Sequence, residues 1–280
     1  MTENKRQTGQ YAAINGLNLY YETLGEKQEG EPPLAVLPGA YMTIEAMGEL
    51  VPQLAESRQV IAVELQGHGH TADIERPIRY ETLADDIAAL LSHLGIERTD
   101  LFGYSLGGGV ALQTAIRHPD RVRKAVLVSA SCKHDGLYPD VIAAMNAVSV
   151  ETFAGTPIHD AYLKTSPRPE AWPTVVAKVK GLVTADYDWS EQVAALTTPI
   201  LIVVGDGDSV RLTHVVEFFG LLGGGKADGD LSGLPASQLA ILPATTHVGW
   251  APPFHGITTR THLLTPMITE FLDAPMPGDS

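Results

Sequence analysis

The chain has 280 residues, room for one large domain or two small ones, and its 44% hydrophobic and 19% charged residues exclude intrinsic disorder. Nineteen basic against thirty-three acidic residues leave a formal net charge of −14, a field that repels phosphate backbones and anionic membrane surfaces, so neither nucleic acid nor a membrane is expected as partner. The single cysteine, Cys132, excludes an internal disulfide and a multi-cysteine zinc site, and no apolar run approaches the ~18 residues of a spanning helix.

The elements begin with a hairpin, since Asn15-Gly16 sits between two short alternating apolar stretches in AAINGLNLYYETLG. Continuous apolar runs follow at Leu34 to Leu37, Val60 to Leu65, Asp100 to Gly103, Val122 to Ser129, Ile200 to Val204 and Gln238 to Leu242. Runs without alternation suit strands buried on both faces. Helical spacing appears between them, near 44–56, 81–94, 106–117, 211–222 and 260–272, and is clearest where Leu83, Ile87, Leu90, Leu91 and Leu94 recur opposite Glu81, Asp85 and Asp86. The alternation predicts an α/β fold with a mostly parallel central sheet and helices on both faces. Residues 133–190 break the rhythm with prolines and scattered aromatics but no strand run. They read as a helical insertion, which divides the chain into a core of residues 1–132 and 191–280 and a cap of residues 133–190. The glycine-rich stretch from Gly223 to Gly233 reads as a surface loop.

Gly103-Tyr104-Ser105-Leu106-Gly107 fits G-x-S-x-G, with an apolar strand before it and a helix after it. A strand turning directly into a helix crowds the backbone on both sides of the central residue, so small residues are needed two before and two after. Such a turn raises the Ser105 hydroxyl over the carboxyl end of the sheet and leaves the Leu106 N–H at a helix start, free to receive an oxyanion. No Gly-Lys-Ser/Thr and no G-x-G-x-x-G is present at this turn to support a phosphate loop. A serine nucleophile needs a base and an orienting carboxylate. Two strand ends offer them: Asp206 and Asp208 after Val204, and His247 after Leu242. His255 competes as base but follows two prolines further on.

These residues in this order resemble the α/β-hydrolases, of the single-domain esterase, lactonase and haloperoxidase-like type, from about Tyr11 to Phe271. VIAVELQGHGHT (residues 60–71) is similar to the family's strand and D-x-x-G-x-G-x-S segment, with Glu64 for the aspartate and Thr71 for the serine. HPDRVRKAVLVSA, PILIVVGDGDSV and HVGWAPP also match family segments. The resemblance implies a helical lid, Ser105, His247 and Asp208 as the triad, and the Ala40 N–H as a second oxyanion donor beside Leu106. It implies no cofactor. The family's His-Gly before that donor is here Pro38-Gly39. The expected activity is hydrolysis of carboxylic esters or lactones of small to medium apolar substrates through an acyl-enzyme; the fold also serves C–C bond hydrolases, perhydrolases and slow-turnover ligand receptors.

Tyr41, Met145, Trp172 and Trp250 are the candidate pocket residues. His68 and His70 form a His-x-His pair without a third ligand, so a metal site is not expected. The polar start MTENKRQTGQ lacks a secretory apolar region, and the expectation is a cytoplasmic monomer or homodimer acting on a small molecule.

Overall fold

The computed structural model describes residues 9–28, 30–249 and 253–277. The expected hairpin opens the sheet: β1 (Gln10–Ile14) and β2 (Leu17–Leu24) pair antiparallel, with Ile14 opposite Leu17. Asn15 and Gly16 turn between them at φ 48° and 85°, the left-handed pair that matches strand twist in a two-residue turn.

The remaining strands are β3 (Leu34–Leu37), β4 (Val60–Val63), β5 (Thr99–Tyr104), β6 (Val122–Val128), β7 (Ile200–Gly207), β8 (Gln238–Thr246) and β9 (His255–Gly256). They form a nine-stranded sheet in the order β1-β2-β4-β3-β5-β6-β7-β8-β9. From β4 to β9 every pairing is parallel, and β3 to β6 are almost wholly buried, as the unalternating runs predict.

Helices cover both faces. On one lie α1 (Leu50–Leu54) and α10 (Thr261–Asp273), with Leu54, Leu264, Ile268 and Phe271 buried against Val36 and Val126. On the other lie α2 (Tyr80–His93), α3 (Leu106–Arg117) and α8 (Leu212–Leu221). The stretch expected as one helix over 44–56 is a 3-10 turn (Glu45–Met47) followed by α1; Gly48, at φ 58°, takes the backbone out of the helix between them. β9 and a short helix α9 (Gly229–Ser232) inside the glycine-rich stretch were not legible as elements.

Residues 133–190 hold α4 (Pro139–Ala147), α5 (Pro157–Thr165), α6 (Trp172–Val183) and the start of α7 (Ser190–Ala194), joined by 3-10 turns. One bridge, Lys133 to Asp188, closes the segment at its base, and a second, Leu137 to Val210, ties it to the chain after β7. α6 anchors it: Val175, Val176, Val179 and Leu182 are buried in the core, and Lys178 Nζ donates to Asp73 Oδ2 and to the Ile74 carbonyl, both at 2.7 Å. Among the described residues no helix is long and apolar enough to cross a membrane.

Candidate active site

Ser105 sits between β5 and α3 at φ 54°, ψ −116°, a conformation that an L-residue holds only when its surroundings fix it. Its flanking glycines are needed for close approach. A Cβ on Gly103 would lie 2.1 Å from the Gly107 carbonyl oxygen, and one on Gly107 would lie 2.1 Å from that of Leu37. The second contact joins the elbow to the loop after β3, where Ala40 lies.

Three strand ends converge on the serine. His247 Nε2 is 3.0 Å from Ser105 Oγ, and His247 Nδ1 is 2.8 Å from Asp208 Oδ1. An ionised Asp208 fixes the tautomer with the proton on Nδ1, which leaves the Nε2 lone pair facing the serine hydroxyl. Asp208 is 6% exposed, and burial alone would push its carboxyl up. The hydrogen bond and charge of His247, with the Ser129 hydroxyl and the Gly205 N–H, more than offset that and hold it below the ordinary carboxylate range. The Ser209 N–H adds a bond at 2.7 Å to Oδ1.

Asp206 points the other way. Its two carboxylate oxygens accept from the Ala244 and Thr245 N–H groups at 3.0 Å, tying the end of β7 to β8 just before the histidine loop. His255 lies in β9 and is exposed. Between the two aspartates and between the two histidines, the structure therefore brings Asp208 and His247 to Ser105.

Ala40 and Leu106 both border the cavity above Ser105. Leu106 opens α3, so its N–H has no acceptor within the helix. The Ala40 N–H has no backbone acceptor among the described residues. Pro38 does not dismantle the loop: Met42 N–H donates to the Gly39 carbonyl at 3.2 Å, and the turn is completed by Tyr41 at φ 62°. Glu64, in the place where the resemblance puts an aspartate, accepts from the Ile44 N–H at 3.0 Å and from His70, and so braces the same loop from below. His68 Nδ1 meets the Gln66 carbonyl instead, so the two histidines of the His-x-His pair serve different partners. Among the described residues no group of three or more His, Cys, Asp or Glu could hold a metal ion.

The cavity over Ser105 measures about 620 Å3. Its walls are mostly apolar, with Leu106, Leu137, Val141, Val148, Phe153 and Val183 among them, and residues 137–187 supply much of the roof. Tyr41 and Met145 line it as expected. Trp172 does not. It is buried behind Tyr41, in contact with Tyr41, Phe153 and Tyr162 rings, because the first turn of α6 faces the core. Trp250 lies outside the described residues.

Two contributors carried no sequence signal of their own. Ser129, just past β6 at φ 54°, donates to Asp208 Oδ2. Tyr104 donates its hydroxyl to the His247 carbonyl at 2.8 Å and fixes the histidine loop from the side.

A family model described as "alpha/beta hydrolase fold" matches residues 32–156. Over 106 residues, 35% of the chain, it is 39% identical to a 2-hydroxymuconate semialdehyde hydrolase of a Pseudomonas species, and over 98 residues, 34% of the chain, it is 40% identical to a pimeloyl-[acyl-carrier protein] methyl ester esterase of Neisseria meningitidis. These matches span only 36% and 30% of those relatives' own lengths. The crystal structure of a meta-cleavage product hydrolase from Pseudomonas fluorescens superimposes with a TM-score of 0.71 at 20% identity, covering 95% of this chain and 97% of the other. A likeness in architecture across nearly the whole chain, joined to the family match over residues 32–156, shows that the chain has the α/β-hydrolase fold.

Proposed function

We propose that the protein is a serine hydrolase that cleaves carboxylic esters or lactones of small to medium apolar substrates. The observation that carries this reading is the unbroken hydrogen-bonded series Asp208, His247, Ser105 at the floor of an apolar cavity. Ser105 Oγ attacks the carbonyl carbon while its proton passes to His247 Nε2, and Asp208 stabilises the imidazolium that forms. The tetrahedral oxyanion is received by the N–H groups of Leu106 and Ala40, each such donor being worth about 3 kcal/mol in rate. His247 then returns the proton to the leaving oxygen as the C–O bond breaks. Water, deprotonated by the same nitrogen, attacks the acyl-enzyme and releases the acid. No step requires a cofactor.

An uncharged acyl group suits the walls. Lys180 is the one lysine or arginine among the cavity's described lining residues, and its ammonium already donates to the Val148 carbonyl at 3.0 Å. The roof of residues 133–190 acts in this reading as a lid over the acyl group. The esterase relative supports an ester substrate; the semialdehyde hydrolase relative makes that semialdehyde the second compound to test.

The test is covalent labelling with a fluorophosphonate probe, followed by turnover of an ester and lactone panel. Ser105→Ala should remove labelling and lower turnover by about 10⁶-fold while the protein stays folded. Labelling that persists in the variant would locate the nucleophile elsewhere.

A further inference from the structure

A second cavity of about 440 Å3 lies beside the first, between the start of α2 and the end of α6. Pro77, Ile78, Leu182 and Trp189 form its apolar walls, and Arg79, Gly181 and the fully exposed Asp186 mark an opening to solvent. Two side chains, Tyr80 and Tyr187, line both cavities and so form the wall between them. Tyr80 is pinned: it is 8% exposed and lies against Gly109 of α3. Tyr187 is only half-buried, and its ring is held by contacts with Trp189 at 4.3 Å, Tyr80 at 5.6 Å and His134 at 6.1 Å and by one hydrogen bond between its hydroxyl and Ser131 Oγ at 2.8 Å. It belongs to the run of residues just before α7, outside any helix or strand.

We infer that the two cavities are one binding site, in which Tyr187 is the partition and the second chamber takes the far end of a long hydrocarbon arm of the substrate. The inference rests on the hydrolase reading above and extends its substrates beyond small to medium groups to esters with one long, unbranched chain whose end reaches solvent past Arg79. A rotation of the Tyr187 ring away from Ser131 opens the passage without disturbing Ser105, His247 or Asp208, none of which touches the second chamber. Pro77, Ile78, Leu182 and Trp189 offer the chain an apolar path, and the charged Arg79, Glu81, Lys178 and Asp186 complete the chamber wall. That arrangement lets a long substrate bury its methylenes without bending back on itself inside the first cavity.

Two variants act on the chambers in opposite senses. Gly181 lines the second chamber and not the first, and a Cβ placed on it meets nothing within 4 Å, so α6 accepts a side chain there and Gly181→Trp sets an indole at the chamber wall. Tyr187→Ala removes the partition. The measurement is kcat/KM along two series of esters, p-nitrophenyl esters from butanoate to hexadecanoate and alkyl acetates of the same chain lengths, with fluorophosphonate labelling of Ser105 run on each variant. Gly181→Trp should lower kcat/KM for dodecanoyl and longer chains in one series by at least about tenfold and leave butanoate within about twofold; Tyr187→Ala should raise the long-chain values in that series by a similar factor. Labelling intact with unchanged chain-length profiles in both variants overturns the two-chamber site and leaves the hydrolase reading standing. Absence of labelling in the unaltered protein overturns the hydrolase reading, and the chamber inference with it.

Discussion

Both carboxylate oxygens of Asp208 accept hydrogen bonds, and one of the donors is the imidazole whose orientation the proposed chemistry needs. Asp208→Asn puts an amide there. Whichever way the amide turns, the network changes sign at one oxygen, and the imidazole is free to adopt the tautomer with its proton on Nε2. Turnover should fall by about 10⁴-fold, the loss known for the same change in a serine protease, while the thermal midpoint moves little. Asp206→Asn should do the reverse. Its carboxyl is held below the ordinary carboxylate range by the Ala244 and Thr245 N–H groups, so its contribution to stability is present above the unfolded-state pKa and is lost as pH falls through the folded one. The amide keeps one acceptor for two donors, so the midpoint should drop at neutral pH and converge on that of the unaltered protein in acid, with kcat retained. Circular dichroism melts and ester turnover on the two purified variants distinguish these outcomes. A folded, inactive Asp206→Asn beside an active Asp208→Asn would reverse the two roles.

At the scale of elements, α10 shows how a helix without a capping signal is held in place. Its last turn ends against β6: the Lys124 ammonium, on a residue 2% exposed, donates to the carbonyls of Phe271 at 2.8 Å, Leu272 at 3.2 Å and Ala274, and Arg123 adds a bond to Leu272 at 2.8 Å. A cation at the C-terminal end of a helix meets the orphan carbonyls and the negative end of the dipole together. Lys124→Met fits the volume but leaves the Phe271 and Ala274 carbonyls without this donor, and should cost about 2–3 kcal/mol in urea unfolding with kcat unchanged. A loss below about 0.5 kcal/mol would mean that water replaces the ammonium.

Nothing in the run Val122 to Ser129 announced this role. The run reads as a strand buried on both faces, where a lysine has no evident partner, and only the packing of α10 against it supplies the partners. The same limit explains what else was hidden. β3 to β6, α2 and α3 were legible because their signals are local, an apolar run or a period of 3.6 residues. Ser105, His247 and Asp208 were legible because each follows a strand end in a recognisable motif. Trp172 was misplaced because no local pattern fixes the orientation of α6, and Ser129, Tyr104 and Tyr187 were not seen as site residues because their hydrogen-bond partners stand 56 to 143 residues away in the chain.

Across the whole molecule, two buried histidines couple folding to pH. Burial lowers the pKa of His68, whose Nδ1 meets the Gln66 carbonyl at 2.9 Å and whose Nε2 has no partner among the described residues; Asp73 pulls the other way. Burial lowers that of His214 as well, against the attraction of Glu217 and with Lys133 and Arg211 adding to it. There the Cys132 N–H points at Nε2 from 3.3 Å, so the proton must be on Nδ1 and a second one on Nε2 would face a donor. Both groups stay neutral in the folded chain at a pH where the unfolded chain would be charged. The unfolded state then binds more protons, and stability falls as pH drops below the ordinary histidine value, by at most roughly 1.4 kcal/mol per unit for each group. Net charge works against this trend. At −14 the folded protein repels itself and protonation relieves the repulsion, and burial raises the carboxyls of Glu64, Asp86 and Asp100, which also favour the fold as pH falls. The share of His214 in urea unfolding from pH 7 to pH 5 is therefore read by removing its titration. His214→Gln keeps an acceptor for the Cys132 N–H and cannot take a proton, so its stability should gain on that of the unaltered protein as pH falls over that range. Parallel slopes for the two proteins would show that His214 is charged in the fold and that the buried imidazole has found a counter-ion in Glu217.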